Sequence, residues 1–203
     1  MIKHISLDDP GPEDCLCLST LSTLISKSTK FIIVTGAGIF CNAGIPVHHL
    51  EVFHLPQDFR SKDGLYNVIK MKYPETIVRG KDLFDISILA STTTASIYYT
   101  FMALLHQEIL SAEPTPTHKF IRNMHEQQRL VWCYTQNFDG IESKVGLLIN
   151  EPRGQLYQLH GDIHTLRCNY CDDVRKYTKE WMDLLQDGMA PKCPECTRKC
   201  IPH

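Results

Sequence analysis

"KFIIVTGAG", residues 30–38, joins a compact β-branched run to a glycine-rich turn. A run of this kind is typical of a strand buried on both faces of a parallel sheet. Backbone amides in the turn that follows can approach phosphate oxygens closely, because no Cβ intervenes. Gly36, Ala37 and Gly38 therefore predict a phosphate-binding turn. A structural turn without a ligand fits so short a motif equally well.

Two more apolar runs end at polar residues. "LVWCYT" (130–135) leads into "QNFDG", and "QLYQLHGD" (155–162) predicts a strand that ends on His160. Helical patterns occupy the segments in between and before them: 13–30, 95–110 and 115–129. Strands that alternate with helices predict an α/β fold with a Rossmann-like parallel sheet, which binds ligands at the carboxyl ends of its strands.

Polar side chains stand at these predicted strand ends. His160 is placed where an imidazole that titrates near neutral pH can act as a general base. Asn137 and Asp139 offer an amide and a carboxylate to a sugar or a carboxamide. Both residue types also form turns, so the spacing alone leaves a purely structural role open.

Four of the nine cysteines form two Cys-x-x-Cys pairs, "CNYC" and "CPEC". Two such pairs at this separation predict a closed tetrahedral zinc site that is structural rather than catalytic. The predicted ligands are Cys168, Cys171, Cys193 and Cys196. Cys200 is a nearby thiol that could compete but lies outside the paired pattern. The other cysteines are interpreted as core or incidental residues.

The composition limits the class of protein. With 43% hydrophobic and 22% charged residues and no long apolar run, the chain is expected to be a globular protein without a membrane span. The net charge of −2 provides no basic excess for broad nucleic-acid binding, so sequence-specific nucleic-acid recognition is not expected. The first residues lack a secretory pattern, and the cysteines are expected to be reduced.

In order along the chain, five motifs closely resemble those of the sirtuins, which are NAD-dependent protein lysine deacylases. These motifs are "VTGAGI" with "NAGIP", "DFRSKDGLY", "TQNFDGIE", "LHGDIHTLRC" and "CPEC". "GKDLFDIS" and "PTPTHKFI" look most like the fungal nuclear branch that deacetylates histone H3. The resemblance implies NAD and zinc as cofactors, an acetylated lysine protein such as a histone as substrate, association with chromatin and a nuclear location.

The resemblance also implies a role for each matching residue. Gly36, Ala37 and Gly38 would bind the NAD pyrophosphate, and His160 would be the general base that deprotonates a ribose hydroxyl. Residues of the loop that covers the nicotinamide ribose would be Asp58, Phe59, Arg60 and Tyr66. The residues that hold the ribose and recognise the nicotinamide amide would be Gln136, Asn137 and Asp139.

Three features depart from the sirtuin pattern. Phe40 stands where the family has Ser, which predicts a steric or polar defect near the ribose. Residues 47–57 separate Pro46 from Asp58, which are adjacent in the family, and one hypothesis is that this segment is unspliced gene sequence. The chain ends at His203, before the later strands of a sirtuin, so an incomplete, poorly stable sheet is expected.

The expected organisation is an N-terminal extension (1–29), an incomplete Rossmann-like catalytic part (30–165) and a zinc-binding module (166–203). The predicted function is NAD-dependent histone deacetylation. The alternatives are an impaired fragment that acts only as a binding module and a non-functional gene-model product. A stand-alone zinc ribbon that binds nucleic acid explains the cysteines but not the strand-end residues.

Overall fold

The computed structural model describes residues 9–40, 83, 85–149, 154–198 and 200–202. Helices and strands alternate through much of this part of the chain. In chain order the elements are α1 (Pro12–Lys27), β1 (Phe31–Thr35), α2 (Ala37–Phe40), a 3₁₀ helix (Ile86–Ala90), α3 (Thr92–Ser111), α4 (Pro116–Glu126), β2 (Leu130–Thr135), α5 (Ile141–Lys144), β3 (Leu156–Gln158), β4 (Thr165–Cys168), β5 (Val174–Lys176), α6 (Lys179–Gln186) and β6 (Cys200–Pro202).

Three parallel strands form the central sheet in the order β1, β2, β3. Thr35 lies opposite Thr135, and Thr135 lies opposite Gln158. All three strands therefore end at one edge of the sheet, and the predicted parallel arrangement is confirmed. The third strand ends at Gln158 rather than at His160, because the chain turns after Leu159 N donates to Thr135 O at 2.9 Å.

The predicted helices are confirmed, and side-chain caps explain where two of them begin. The Ser91 hydroxyl accepts from Thr94 N at the start of α3. The Thr115 hydroxyl accepts from His118 N before Pro116, so the Thr-Pro pair opens α4 as the sequence indicates. Both caps satisfy amides that have no partner within the helix.

The expectation that β1 is buried on both faces is wrong for the described residues. Phe31 and Ile33 pack into a cluster with Ile121 of α4, whereas Ile32 and Val34 are 64% and 67% exposed. β1 is an edge strand of the described sheet, and α4 packs on one face only. The other face carries aromatic side chains, with Tyr157 stacked on Tyr134 at 5.4 Å between ring centroids.

A second, antiparallel sheet has the order β5, β4, β6. Helix α3 joins it to the rest of the molecule. Tyr99 and Ala103 of α3 pack with Leu166 and Leu185 of the second sheet region, whereas Phe101 of the same helix packs in a different cluster. Strand β4 begins at Thr165. The predicted boundary between the Rossmann-like part (30–165) and the zinc-binding module (166–203) stays a prediction.

Helix α1 has no buried residue and is attached through its C-terminal end. The Arg129 guanidinium donates to the carbonyls of Ile25 and Ser28 and lies 5.0 Å from the centre of the Phe31 ring. A cation at this end also complements the partial negative charge of the helix dipole. Within the described ranges, no helix combines the length and apolar character that a membrane crossing requires.

Candidate functional site

The glycine turn and the polar loop after β2 meet at the carboxyl edge of the sheet. Gln136 N donates to Thr35 O at 3.0 Å, which continues the pairing of β1 and β2 beyond their last residues. The side-chain amide of Asn137 donates to Gly36 O at 3.1 Å, and Asn137 N donates to the Thr135 hydroxyl at 3.1 Å. The structure thus brings Gly36 and Asn137 together. The Asn137 side chain stabilises the glycine turn through its hydrogen bond to the Gly36 carbonyl.

The turn leaves room beside its backbone. A Cβ added to Gly38 would meet no atom within 4 Å, and one added to Gly36 would lie 3.3 Å from the Gln136 side-chain oxygen. Gln136 is itself exposed. The space beside Gly38 is therefore open among the described residues, which fits the predicted phosphate contact.

Asp139 is almost completely buried, at 1% exposed. Its Oδ1 accepts from Ile141 N at 2.9 Å, while Oδ2 is buried without a hydrogen-bond partner among the described residues. Burial, reinforced by the nearby Glu142, raises the pKa of Asp139 to about 7. The carboxyl therefore stabilises the start of α5, and its predicted contact with the cofactor stays a prediction.

His160 lies in the turn after β3 and is exposed. Its position follows directly from the strand pairing, since β3 ends beside the end of β2. The imidazole is accessible at the same edge of the sheet as the glycine turn. That placement is what a general base requires, although the role itself stays a prediction.

Several predicted site residues fall outside the described part of the chain. These are Asp58, Phe59, Arg60 and Tyr66. The same holds for the inserted segment 47–57, for Cys41 and for the side chain of Phe40. The expectations about the covering loop and about a defect near the ribose stay predictions.

The four predicted zinc ligands converge. The sulfur atoms of Cys168, Cys171, Cys193 and Cys196 all lie within 4.8 Å of one another. Two of the separations are 3.4 Å (Cys168 to Cys196) and 3.5 Å (Cys171 to Cys193). Zinc–sulfur bonds of ~2.3 Å in a tetrahedron require sulfurs roughly 3.8 Å apart. The residues therefore fit a zinc ion with a closed shell.

Cys200 lies outside this group. Among the described residues, the cluster whose sulfur atoms lie within 4.8 Å of one another contains both Cys-x-x-Cys pairs and does not include Cys200. Cys200 is 2% exposed in β6, where it packs in the same hydrophobic cluster as Cys168 and Cys193. It is therefore a core thiol beside the cluster rather than a member of it. Cys133 is likewise buried, as predicted for a core residue.

The Sir2 family model matches residues 36–203, which are most of the chain. The chain belongs to the Sir2 family. The predicted resemblance to the sirtuins is thereby confirmed, and the matched residues include the glycine turn, the strand-end residues and both cysteine pairs.

Two fungal Sir2-family relatives are similar to nearly all of this chain. It is 40% identical to the NAD-dependent histone deacetylase HST3 of Candida albicans, over 98% of the chain and 42% of that protein. It is 36% identical to the protein of the same name from Saccharomyces cerevisiae, over 88% of the chain and 41% of that protein. The chain thus spans less than half the length of either relative.

The Sir2 fold is also found in solved structures. A Sir2 homologue in complex with 2'-O-acetyl ADP ribose superposes with a TM-score of 0.65 at 24% identity, covering 90% of this chain and 61% of the other. A second structure, which concerns sirtuin substrate affinity, gives a TM-score of 0.66 at 22% identity, covering 92% and 64%. The predicted Rossmann-like α/β fold is confirmed.

Sequence reasoning missed a buried polar pair in this Sir2-family chain. The Thr35 hydroxyl donates to Glu142 Oε1 at 2.9 Å, and Glu142 is completely buried. The pair joins the end of β1 to α5 at the level of the glycine turn. Glu142 stands between Ile141 and Ser143, and a single charged residue on a short helix is usually exposed, so no sequence signal indicated its burial.

Proposed function

We propose that the chain carries the glycine turn and the nicotinamide-side residues of an NAD-dependent protein lysine deacetylase. The observation that carries the proposal is the meeting of three loops at one sheet edge, marked by the hydrogen bond from Asn137 to Gly36 and by the exposed His160 beside it. Membership of the Sir2 family and the names of the fungal relatives support the same activity.

Each residue is given a role that its position allows. Backbone amides of the Gly36–Gly38 turn bind the pyrophosphate, because the open space beside Gly38 admits an anion. Gln136, Asn137 and Asp139 hold the ribose and the carboxamide at the nicotinamide end. The segment with Asp58, Phe59, Arg60 and Tyr66 covers the same end. When bound, NAD supplies the leaving nicotinamide and the ribose that accepts the acyl group.

His160 is proposed to accept the proton from a ribose hydroxyl. The ring is exposed at the sheet edge, so a sugar held by the neighbouring loop can reach it without displacing a buried partner. The four-cysteine site includes Cys168 at the end of β4, and its closed shell provides no open position for substrate. Zinc is therefore assigned a structural role.

The substrate is proposed to be an acetylated lysine of a histone, and the location the nucleus. Both rest on the fungal relatives, which are named histone deacetylases. The net charge of −2 supports recognition of a peptide rather than broad contact with DNA.

The test is nicotinamide release from NAD by the purified, zinc-loaded chain with an acetylated histone H3 peptide. Release is expected to depend on the peptide and to fall at least about 100-fold in His160→Ala, since a positioned general base contributes on that order. His125→Ala, at a half-buried position of α4 outside the site, is the matched control and should retain activity. Peptide-independent release would contradict the proposal. No release from a folded wild-type chain would favour the alternative of a binding module.

A further inference from the structure

The loop after β3 is fastened to the loop after β2 at two consecutive carbonyls. Ile163 N donates to Phe138 O at 2.9 Å. The ring Nε2 of His164 lies 2.9 Å from Asp139 O. The first contact uses only backbone and can form with any residue at position 163 except proline. The second exists only because position 164 is a histidine.

The carbonyl partner of His164 shows which ring nitrogen donates to the loop after β2. A carbonyl oxygen only accepts, so Nε2 of His164 must carry the hydrogen. Its other nitrogen, Nδ1, lies 3.1 Å from Nε2 of His106 in α3. Burial, together with the neighbouring His164, lowers the pKa of His106 to about 4, so the His106 ring is neutral at physiological pH. His164 therefore donates from Nε2 to the Asp139 carbonyl, and its Nδ1 contacts the neutral ring of His106.

The ring is also fitted to the turn that it holds. Gly140 has φ of +68° and a Cβ at this position would lie 3.1 Å from Cδ2 and 3.2 Å from Nε2 of His164. The absence of a side chain at Gly140 thus allows the imidazole to lie directly against the backbone. A left-handed φ is also a conformation that glycine adopts without strain.

His164 is held from its own side as well. Its backbone amide donates to Asp162 Oδ1 at 2.9 Å, which fixes the turn before β4. The Tyr177 ring packs on His106 at 4.7 Å between centroids. The contacts with His106 of α3 and with Asp162 fix the orientation of the His164 imidazole. The imidazole in turn fixes the position of the Asp139 carbonyl through its hydrogen bond.

We infer that His164 is a positioning residue for the nicotinamide end of the cofactor site. Asn137 and Asp139 are held by Gly36 and Thr135 on one side and by the 163–164 segment on the other. Loss of the hydrogen bond from His164 would leave the Asp139 carbonyl, two residues after Asn137, without this partner. The inference rests on the proposed function, because it assigns this loop to the nicotinamide end.

The test compares dissociation constants of the zinc-loaded full chain for NAD and for ADP-ribose, measured by calorimetry. His164→Leu is expected to weaken NAD binding about tenfold, the equivalent of one lost hydrogen bond, and to change ADP-ribose binding by less than about twofold. His164→Gln places an amide donor within reach of the same carbonyl and should stay within about threefold of wild type for NAD. His125→Leu is the matched control for loss of a histidine outside the site.

His164→Asn serves as a second test variant if His164→Leu does not fold, because its amide is too short to reach the Asp139 carbonyl. NAD affinity that is unchanged in both variants would overturn the inference and leave the proposed function intact. Equal weakening for NAD and ADP-ribose would show general loosening and also overturn it, as would failure of His164→Gln to restore binding. A folded wild-type chain that binds no NAD would overturn the proposed function and the inference together.

Discussion

Two buried titratable residues near the candidate site give stability opposite dependences on pH. His106 has its pKa lowered to about 4 by burial, so its contribution is present above the unfolded value and is lost as pH falls from about 6.5 towards 4. Asp139 has its pKa raised to about 7 by burial, so its contribution is present below the unfolded value and is lost as pH rises from about 4 through 7. The two effects oppose each other between these limits.

The Asp139→Asn variant should therefore separate the contribution of Asp139 to the pH dependence of stability from that of His106. The amide keeps an oxygen that can accept from Ile141 N, but it carries no ionisation cost. We expect the variant to be more stable than wild type by about 2 to 4 kcal/mol at pH 8, and the difference to disappear near pH 4. Urea unfolding of both proteins across this range measures it. A constant difference at every pH would contradict the raised pKa.

At the scale of elements, a side-chain hydrogen bond between Thr35 and Glu142 joins the end of β1 to α5. Thr35 is 8% exposed and Glu142 is completely buried, and their contact spans the sheet edge beside the glycine turn. The second carboxylate oxygen of Glu142 has no partner among the described residues. The hydrogen bond that the Thr35 hydroxyl donates therefore compensates part of the cost of burying the Glu142 carboxyl group.

Replacement of Thr35 by valine keeps the shape and removes the hydroxyl. The expected loss in the free energy of unfolding is about 1 to 3 kcal/mol, because Glu142 Oε1 is left buried without its partner. Thr35→Ser is the control, since it keeps the hydroxyl and loses only a methyl group. The two variants are compared by urea unfolding at pH 7. If valine proves as stable as serine, the hydrogen bond is not what holds the strand to the helix.

At the scale of the whole molecule, helix α3 links the parallel sheet region to the cysteine module. Its Tyr99 and Ala103 pack in the same cluster as Cys168 and Cys193. Its Thr100 hydroxyl donates to Gln186 O at 3.3 Å. Loss of the metal should therefore loosen packing on one face of α3 as well as the module itself.

Metal removal tests this link. We expect one zinc per chain, and we expect a chelator to lower the unfolding temperature and to speed amide exchange on the Tyr99 face of α3. Cys171→Ser should lose the metal and show the same changes. Cys15→Ser, at an exposed position of α1, should retain both the metal and the stability. Metal retained at full stoichiometry by Cys171→Ser would rule out the four-thiolate assignment.

Local patterns were sufficient to predict the elements that end at the site. β1 and β2 could be located because five- and six-residue apolar runs have few alternatives, and α4 because a Thr-Pro pair meets the needs of a helix start. The cysteine pairs predicted their own convergence, since each pair places two thiols on one tight turn. These features depend on residues close together in the sequence.

Tertiary structure decided what these patterns leave open. The face of β1 that is exposed depends on which helix packs against the sheet, and the raised pKa of Asp139 depends on its burial and on the nearby Glu142. The contact of His164 with His106 joins residues 58 positions apart, and that with Asp139 joins residues 25 apart. The sequence by itself determined the family, the three parallel strands and the four cysteines that converge, because short motifs encode them. Only the packed molecule decided which polar groups are buried together, because burial and hydrogen-bond partners depend on parts of the chain that are distant in sequence.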